Sequence, residues 1–156
     1  MIQSDKYDSL IMEFKKLANN IINFTLNRII EIVGVLILLT GIFLLIALLS
    51  FSPEDPNFIF PDNAEIKNIL GFQGSFTADL FFQSIGLISL LIPFSLIFCA
   101  VNIILHKKIF LIIESIFYTI LYSLFGGLFF TFFYPSVFKL YINGNGGFVG
   151  KYLETT

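Results

Sequence analysis

Three stretches of this chain stay apolar for twenty residues or more, and that constrains it more than anything else does. Residues 32–51 and 80–105 carry no formal charge, and residues 109–134 carry one acid, Glu114. A helix rises about 1.5 Å per residue, so roughly twenty residues match a hydrocarbon core about 30 Å thick. The fold class expected is therefore all-α: multi-pass transmembrane helices. Composition agrees, with 56% hydrophobic residues, 13% charged residues and 21 phenylalanines, where soluble domains carry about 25% charge. A soluble enzyme, a disordered tail and a secreted disulfide scaffold are excluded. The single cysteine, Cys99, cannot form an internal bridge, and a net charge of −2 with pI near 5.2 argues against a nucleic-acid-binding surface.

The spans divide the chain. Residues 1–31 place Tyr7, Leu10, Ile11, Phe14, Leu17, Ala18, Ile21 and Ile22 at steps of three and four, with Lys6, Glu13, Lys15, Lys16, Asn19 and Asn20 between them. That pattern predicts an amphipathic helix, lying on the membrane interface or packed on a cytosolic partner. A first span at 32–51 follows, then a loop at 52–79, a second span at 80–105, a short turn at 106–108 and a third span at 109–134. Residues 135–156 form a glycine-rich tail. The second span is long for a bilayer, and Pro93 near its middle predicts a kink. Cytoplasmic loops carry the excess of Lys and Arg. Lys6, Lys15, Lys16 and Arg28 precede the first span, and Lys107 and Lys108 sit between the other two, whereas loop 52–79 has one base against five acids. The expected topology puts the N-terminus and 106–108 inside, and 52–79 and the tail outside.

Most familiar chemistry is missing. The tail resembles a phosphate loop only at first glance: Asn145 stands where the first glycine of Walker A belongs, Tyr152 replaces its hydroxyl residue, and Val149 breaks GxGxxG. A flexible outer loop is expected instead. One histidine, His106, and one cysteine make no zinc site. No catalytic, cofactor-binding or metal-binding residue is expected, and no cofactor. An ionisable residue in a span is a functional candidate by default. Glu114 lies six residues from Lys108, so it reads as an interfacial anchor beside Lys107 or Lys108, a buried interhelical hydrogen bond, or an ion relay. Arg28 and Glu31, three apart, read as a boundary ion pair. In the third span Ser115, Thr119, Ser123, Gly127 and Thr131 recur at steps of four, a small-residue face for close helix packing. Gly34 and Gly41 in the first span offer a possible partner for it, and an oligomer contact is equally allowed.

The loop is more specific. The first span ends in Ser50, Phe51, Ser52, Pro53, Glu54, Asp55 and Pro56, followed by Asn68, Gly71, Gly74, Ala78, Asp79 and Leu80. The prolines stop the helix, the glycines permit unusual backbone angles, and Asp79 is placed to cap the second span. Ser52, Pro53, Asp55, Pro56, Asn68, Gly71, Gly74, Ala78 and Asp79 together resemble the N-terminal membrane domain of the FtsK/SpoIIIE DNA translocases. The glycine-rich tail is similar to that family's outer loop before a fourth span. The resemblance, over about residues 28–156, implies a four-span membrane anchor at the bacterial division septum, in the inner membrane. It also implies a motor elsewhere in a longer parent, hexamer formation, and contacts with other division membrane proteins as well as with lipid. Here three spans are read and the fourth is missing, with no Walker motif and no DNA-contacting module, so neither motor activity nor nucleic-acid contact is expected of these residues. The alternative is a standalone small multi-pass membrane protein, an assembly factor or transporter subunit.

Overall fold

The prolines and glycines of the sequence decide where its helices stop, and the apolar runs decide how far they extend. The computed structural model describes residues 2–56, 65–135 and 143–156, with side chains from residue 10 onward. Helix α1 runs Ile2–Leu49, α2 Gly71–Ile85, α3 Leu91–His106, α4 Leu111–Phe133 and α5 Gly147–Glu154. A 3-10 turn, Gly86–Leu90, joins α2 to α3. No strand occurs among the described residues. Three segments are long and apolar enough to cross a membrane: Leu10–Leu49, Gly71–His106 and Leu111–Phe133.

Two boundaries differ from expectation. The amphipathic stretch and the first span are one unbroken helix, because nothing between residues 2 and 33 is Gly or Pro. The second crossing starts at Gly71 rather than residue 80, and its irregularity lies at the 3-10 turn rather than at Pro93. Pro93 is the third residue of α3. In the first turn of a helix the N–H groups have no intrahelical acceptor, so the missing donor costs nothing there. The bend belongs instead to Gly86, whose φ of 69° and ψ of −151° suit glycine.

Packing is concentrated on α1, α2 and α3. Leu44, Ala47, Leu48, Ala78 and Phe82 form the buried core, with Phe51, Leu70, Phe81, Leu90, Ile92 and Leu96 around it. Phe51 meets Phe82 at 4.9 Å between ring centres. α1 lies along α3 through its glycines: a Cβ on Gly34 would come within 2.6 Å of Ile104, and one on Gly41 within 3.1 Å of Leu96. Those two glycines therefore serve α3 rather than the small-residue face of α4. α4 buries only Ser123 and Gly127 and turns its phenylalanines outward, as a lipid-facing helix does.

The bundle thus has two ends of different chemistry. One carries the chain around residues 50–70, the 3-10 turn and the 143–147 segment, and is called the loop end below. The other carries Arg28, Glu31 and the 106–108 corner, and is the basic end.

Candidate functional site: a polar lock at the loop end

Asp55 and Asn68 organise the loop end. Asp55 is 1% exposed. Its Oδ1 accepts the Lys67 N–H at 2.8 Å and its Oδ2 accepts the Asn68 N–H at 2.9 Å. A buried carboxylate is tolerated only when hydrogen-bonded, and here two adjacent main-chain donors supply those bonds. The sequence places Asp55 there by setting Pro53 and Pro56 on either side, which forbid helix continuation and favour a turn. Asn68 is likewise buried. Its Nδ2 donates to the Ala47 carbonyl of α1 at 2.9 Å, and its Oδ1 accepts the Leu70 N–H at 3.0 Å, an Asx turn that starts α2. Gly74 has no Cβ, and one built there would fall on Asn68 Oδ1. Ser50 Oγ donates to Ile46 O at 2.7 Å and accepts the Ile69 N–H at 3.2 Å. Ser75 Oγ donates to Pro56 O at 3.4 Å. Asp55, Asn68, Ser50 and Ser75 thus tie the end of α1 to the start of α2 over about twenty residues of sequence.

Of the loop residues singled out in the sequence, Ser52, Pro53, Asp55, Pro56, Asn68, Gly71, Gly74 and Ala78 fall in or beside this lock. Ser52 O accepts the Asp55 N–H at 3.2 Å, Gly71 turns into α2 with φ of 66°, and Ala78 is fully buried. Asp79 is the exception to its expected role. It lies in the middle of α2, half-buried, with its Oδ1 accepting from Gln83 Nε2 at 3.4 Å; Leu70 occupies the N-cap position. The helix begins nine residues earlier than the apolar run does, so Asp79 stands inside it rather than at its cap position. Ser50 and Ser75, both used, are not among the site residues singled out from the sequence; their signal is a hydroxyl directly after α1 and one turn inside α2.

Outside the lock, the Lys67 ammonium pairs with Glu54. Hydrogen bonding to that ammonium holds the Glu54 carboxyl below its ordinary range, and Glu54 raises Lys67 in turn.

The glycine tail is helical where a loop was expected. α5 packs across α4 and α2 through Gly146, Gly147 and Gly150. Cβ atoms at Gly146 or Gly150 would collide with Thr131 Oγ1 and the Gly127 carbonyl, and one at Gly147 with the Gly86 and Ile85 backbone. The Leu87 N–H donates to Asn145 O at 2.9 Å. Asn145 is buried, its Nδ2 donating to Tyr134 O, and Asn143 Nδ2 donates to Gln83 O at 3.2 Å. Glycine is ambiguous in sequence: it serves both loose loops and backbones in contact, and here it serves contact.

The small-residue face of α4 meets this segment. Ser123 and Gly127 are buried, and Ser115, Thr119 and Thr131 are half-buried amid exposed neighbours. Thr131 Oγ1 donates back to Gly127 O at 2.9 Å. The stripe thus divides, its Gly127–Thr131 part receiving α5. Its Ser115 part lines a groove of about 300 Å³ between α3 and α4 with Glu114, Asn102, Ser95, Cys99 and Tyr118. Glu114 is exposed in that groove and makes no ion pair among the described residues. Lys107, one of its two expected neighbours, instead reaches Glu31 Oε1. Arg28 Nη1 lies 2.6 Å from Glu31 Oε2, and its guanidinium lies 5.0 Å from the Phe24 ring. His106 closes α3 and is exposed; Cys99 is buried, its thiol 3.6 Å from Leu111 O.

No group of three or more His, Cys, Asp or Glu side chains that could hold a metal occurs among the described residues. The arrangement joins helices; among the described residues it brings no nucleophile to a base. Fold and lock together define a helical membrane domain with a stapled loop end. The 4TM region of DNA translocase FtsK/SpoIIIE matches residues 27–156, and the chain belongs to that family. No curated protein and no solved structure matches it.

Proposed function

We propose that these residues are the membrane anchor of an FtsK-like DNA translocase in the bacterial inner membrane, holding the motor of a longer parent at the division septum during division and chromosome segregation. The observation that carries this reading is the family match over residues 27–156, and the lock gives it a physical content. An anchor under load from a DNA pump must keep its spans in register, and Asp55 and Asn68 hold α1 to α2 through bonds shielded from water. The basic end is cytoplasmic, by the placement of Arg28, Lys107 and Lys108. ATP hydrolysis and DNA contact belong to residues outside this segment. The phenylalanine-rich outer face of α4 meets lipid and other division membrane proteins.

A fluorescent fusion of residues 1–156 in dividing bacteria tests this. Enrichment at the constriction is expected, and loss of that enrichment in Asn68→Ala. Even labelling of the whole envelope by the unmodified chain would overturn the septal role.

A further inference from the structure

Glu114 puts a carboxylate on a membrane-crossing helix, and among the described residues no cation pairs with it. It stands in the first turn of α4 and lines the groove of about 300 Å³ between α3 and α4. That groove runs down from the basic end. Asn102 and Leu111 line its shallow part, and Ser95 and Tyr118 its deep part. Ser95 Oγ and Tyr122 Oη lie 3.1 Å apart, a hydrogen bond that joins the two helices there. Cys99 and Ser115 line the space between the helices and are too small to fill it.

A carboxylate at membrane depth is costly unless it meets a cation or a proton. Lys107, in the adjoining corner, is engaged by Glu31. Lys108 is exposed and makes no ion pair among the described residues. Its carbonyl accepts the Leu111 N–H at 3.2 Å. Lys108 therefore stands one turn before Leu111, on the water side of the groove, and residues three apart share a helix face. Six residues separate Lys108 from Glu114, about 9 Å of helix at 1.5 Å per residue. Long charged side chains at a span end bend toward the headgroups, which brings the two charges closer. The groove mouth thus offers an unpaired cation, an unpaired anion and apolar walls from Phe98, Leu111 and Tyr118. Its complement is a zwitterion with an apolar tail.

A basic side chain from another protein's helix answers Glu114 and leaves Lys108 unmatched. A free anion answers Lys108 and leaves Glu114 unmatched. A phospholipid carries ammonium, phosphate and tail on one molecule, and its leaflet sets the headgroup at this depth. A primary ammonium has three donors for the carboxylate; a trimethylated one has none. We propose that the α3–α4 groove holds the headgroup of phosphatidylethanolamine, with Glu114 on the ammonium and Lys108 on the phosphate. The groove is at the small end of ligand sites, so it takes the headgroup and glycerol and leaves the acyl chains in the bilayer. This inference needs only that α3 and α4 cross a membrane, and it stands apart from the septal reading.

The chain has no tryptophan, so Phe98→Trp alone reports on the groove. The full chain with that change is reconstituted in phosphatidylcholine vesicles holding a minor fraction of lipid with brominated acyl chains. Brominated phosphatidylethanolamine is expected to quench roughly threefold more than brominated phosphatidylcholine, the size of effect an exposed ion pair gives. Phe125→Trp, exposed on α4 outside the groove, should not distinguish the two lipids. Glu114→Gln added to Phe98→Trp should remove the excess, and Lys108→Gln should reduce it. Equal quenching of Phe98→Trp by the two lipids overturns the proposal and leaves the groove to a helix bearing a base. This comparison decides the case even where Glu114→Gln fails to fold. An excess that survives Glu114→Gln also overturns it. So does stronger quenching by brominated phosphatidylglycerol, which would assign Lys108 to an anion alone.

Discussion

The two ends of this bundle hold their helices together by different means. At the loop end, Asp55, Asn68, Ser75 and Asn145 are buried polar residues joined to the backbone of neighbouring helices, and glycines let α5 touch α2 and α4. At the basic end, Glu31 is bridged by Arg28 and Lys107 on side chains that water reaches. Buried hydrogen bonds leave an expensive orphan when one partner is removed; exposed ion pairs contribute little and are screened by salt. The loop end is therefore held by buried polar bonds, and the basic end by the apolar packing of α1 on α3 around Gly34, with an exposed ion-pair cluster at its rim.

The sharpest way to break that contrast is to add a single methyl group. Gly86→Ala puts a Cβ onto the Asn145 carbonyl in a left-handed conformation. Overpacking and strain together cost about 3 kcal/mol or more, seen as a lower unfolding temperature in detergent and faster proteolysis at α5. Asp55→Ala comes next: it strands the Lys67 and Asn68 N–H groups, at roughly 2–3 kcal/mol, with early hydrogen exchange at residues 67 and 68. Gly127→Ala sharpens the comparison, because its Cβ would stand 3.3 Å from Gly146 O and 3.5 Å from Gly150 N. Neighbours have to give only slightly, so about 1 kcal/mol is expected from calorimetry; a cost equal to that of Gly86→Ala would show α5 to be as rigidly held along α4 as at Gly86. The smallest effect belongs to Glu54 and Lys67. Glu54 is held below its ordinary value of 4.5, so its contribution is present above that value and is lost as pH falls through the lowered one. Lys67 is raised above 10.5, so its contribution is present below that value and is lost as pH rises through the raised one. Glu54→Gln should flatten the acid limb of a stability–pH curve and, because Glu54 is the main cause that raises Lys67, most of the alkaline limb too, and a loss at neutral pH matching that of Asp55→Ala would mean the pair belongs to the lock.

The crossings were legible because apolar runs of this length leave a chain few alternatives. Pro53, Asp55, Pro56 and Asn68 were legible as a turn, since each restricts the backbone in a known way. The contacts those side chains make were not, because Asn68 reaches Ala47, twenty-one residues back in sequence. α2 is longer than its apolar run, as Gln73, Thr77 and Asp79 interrupt its apolarity without interrupting its helix. Pro93 does not bend its helix, because a proline's effect depends on its place in the turn. Sequence distance offers Lys107 or Lys108 to Glu114 as one of its readings, yet Glu31, seventy-six residues away from Lys107, takes Lys107.

The length of α1 has a mechanical consequence. A stiff rod of 48 residues is about 72 Å long, and its C-terminal part is packed on α2 and, as far back as Gly34, on α3. The residues before Arg28 form an arm of about 39 Å, and a tilt of about 10° at its root swings the far tip through roughly 7 Å, by the same rise per residue. The helix is a lever rooted in the packed bundle, so a small rearrangement where α1 leaves α3 becomes a larger displacement where the chain begins.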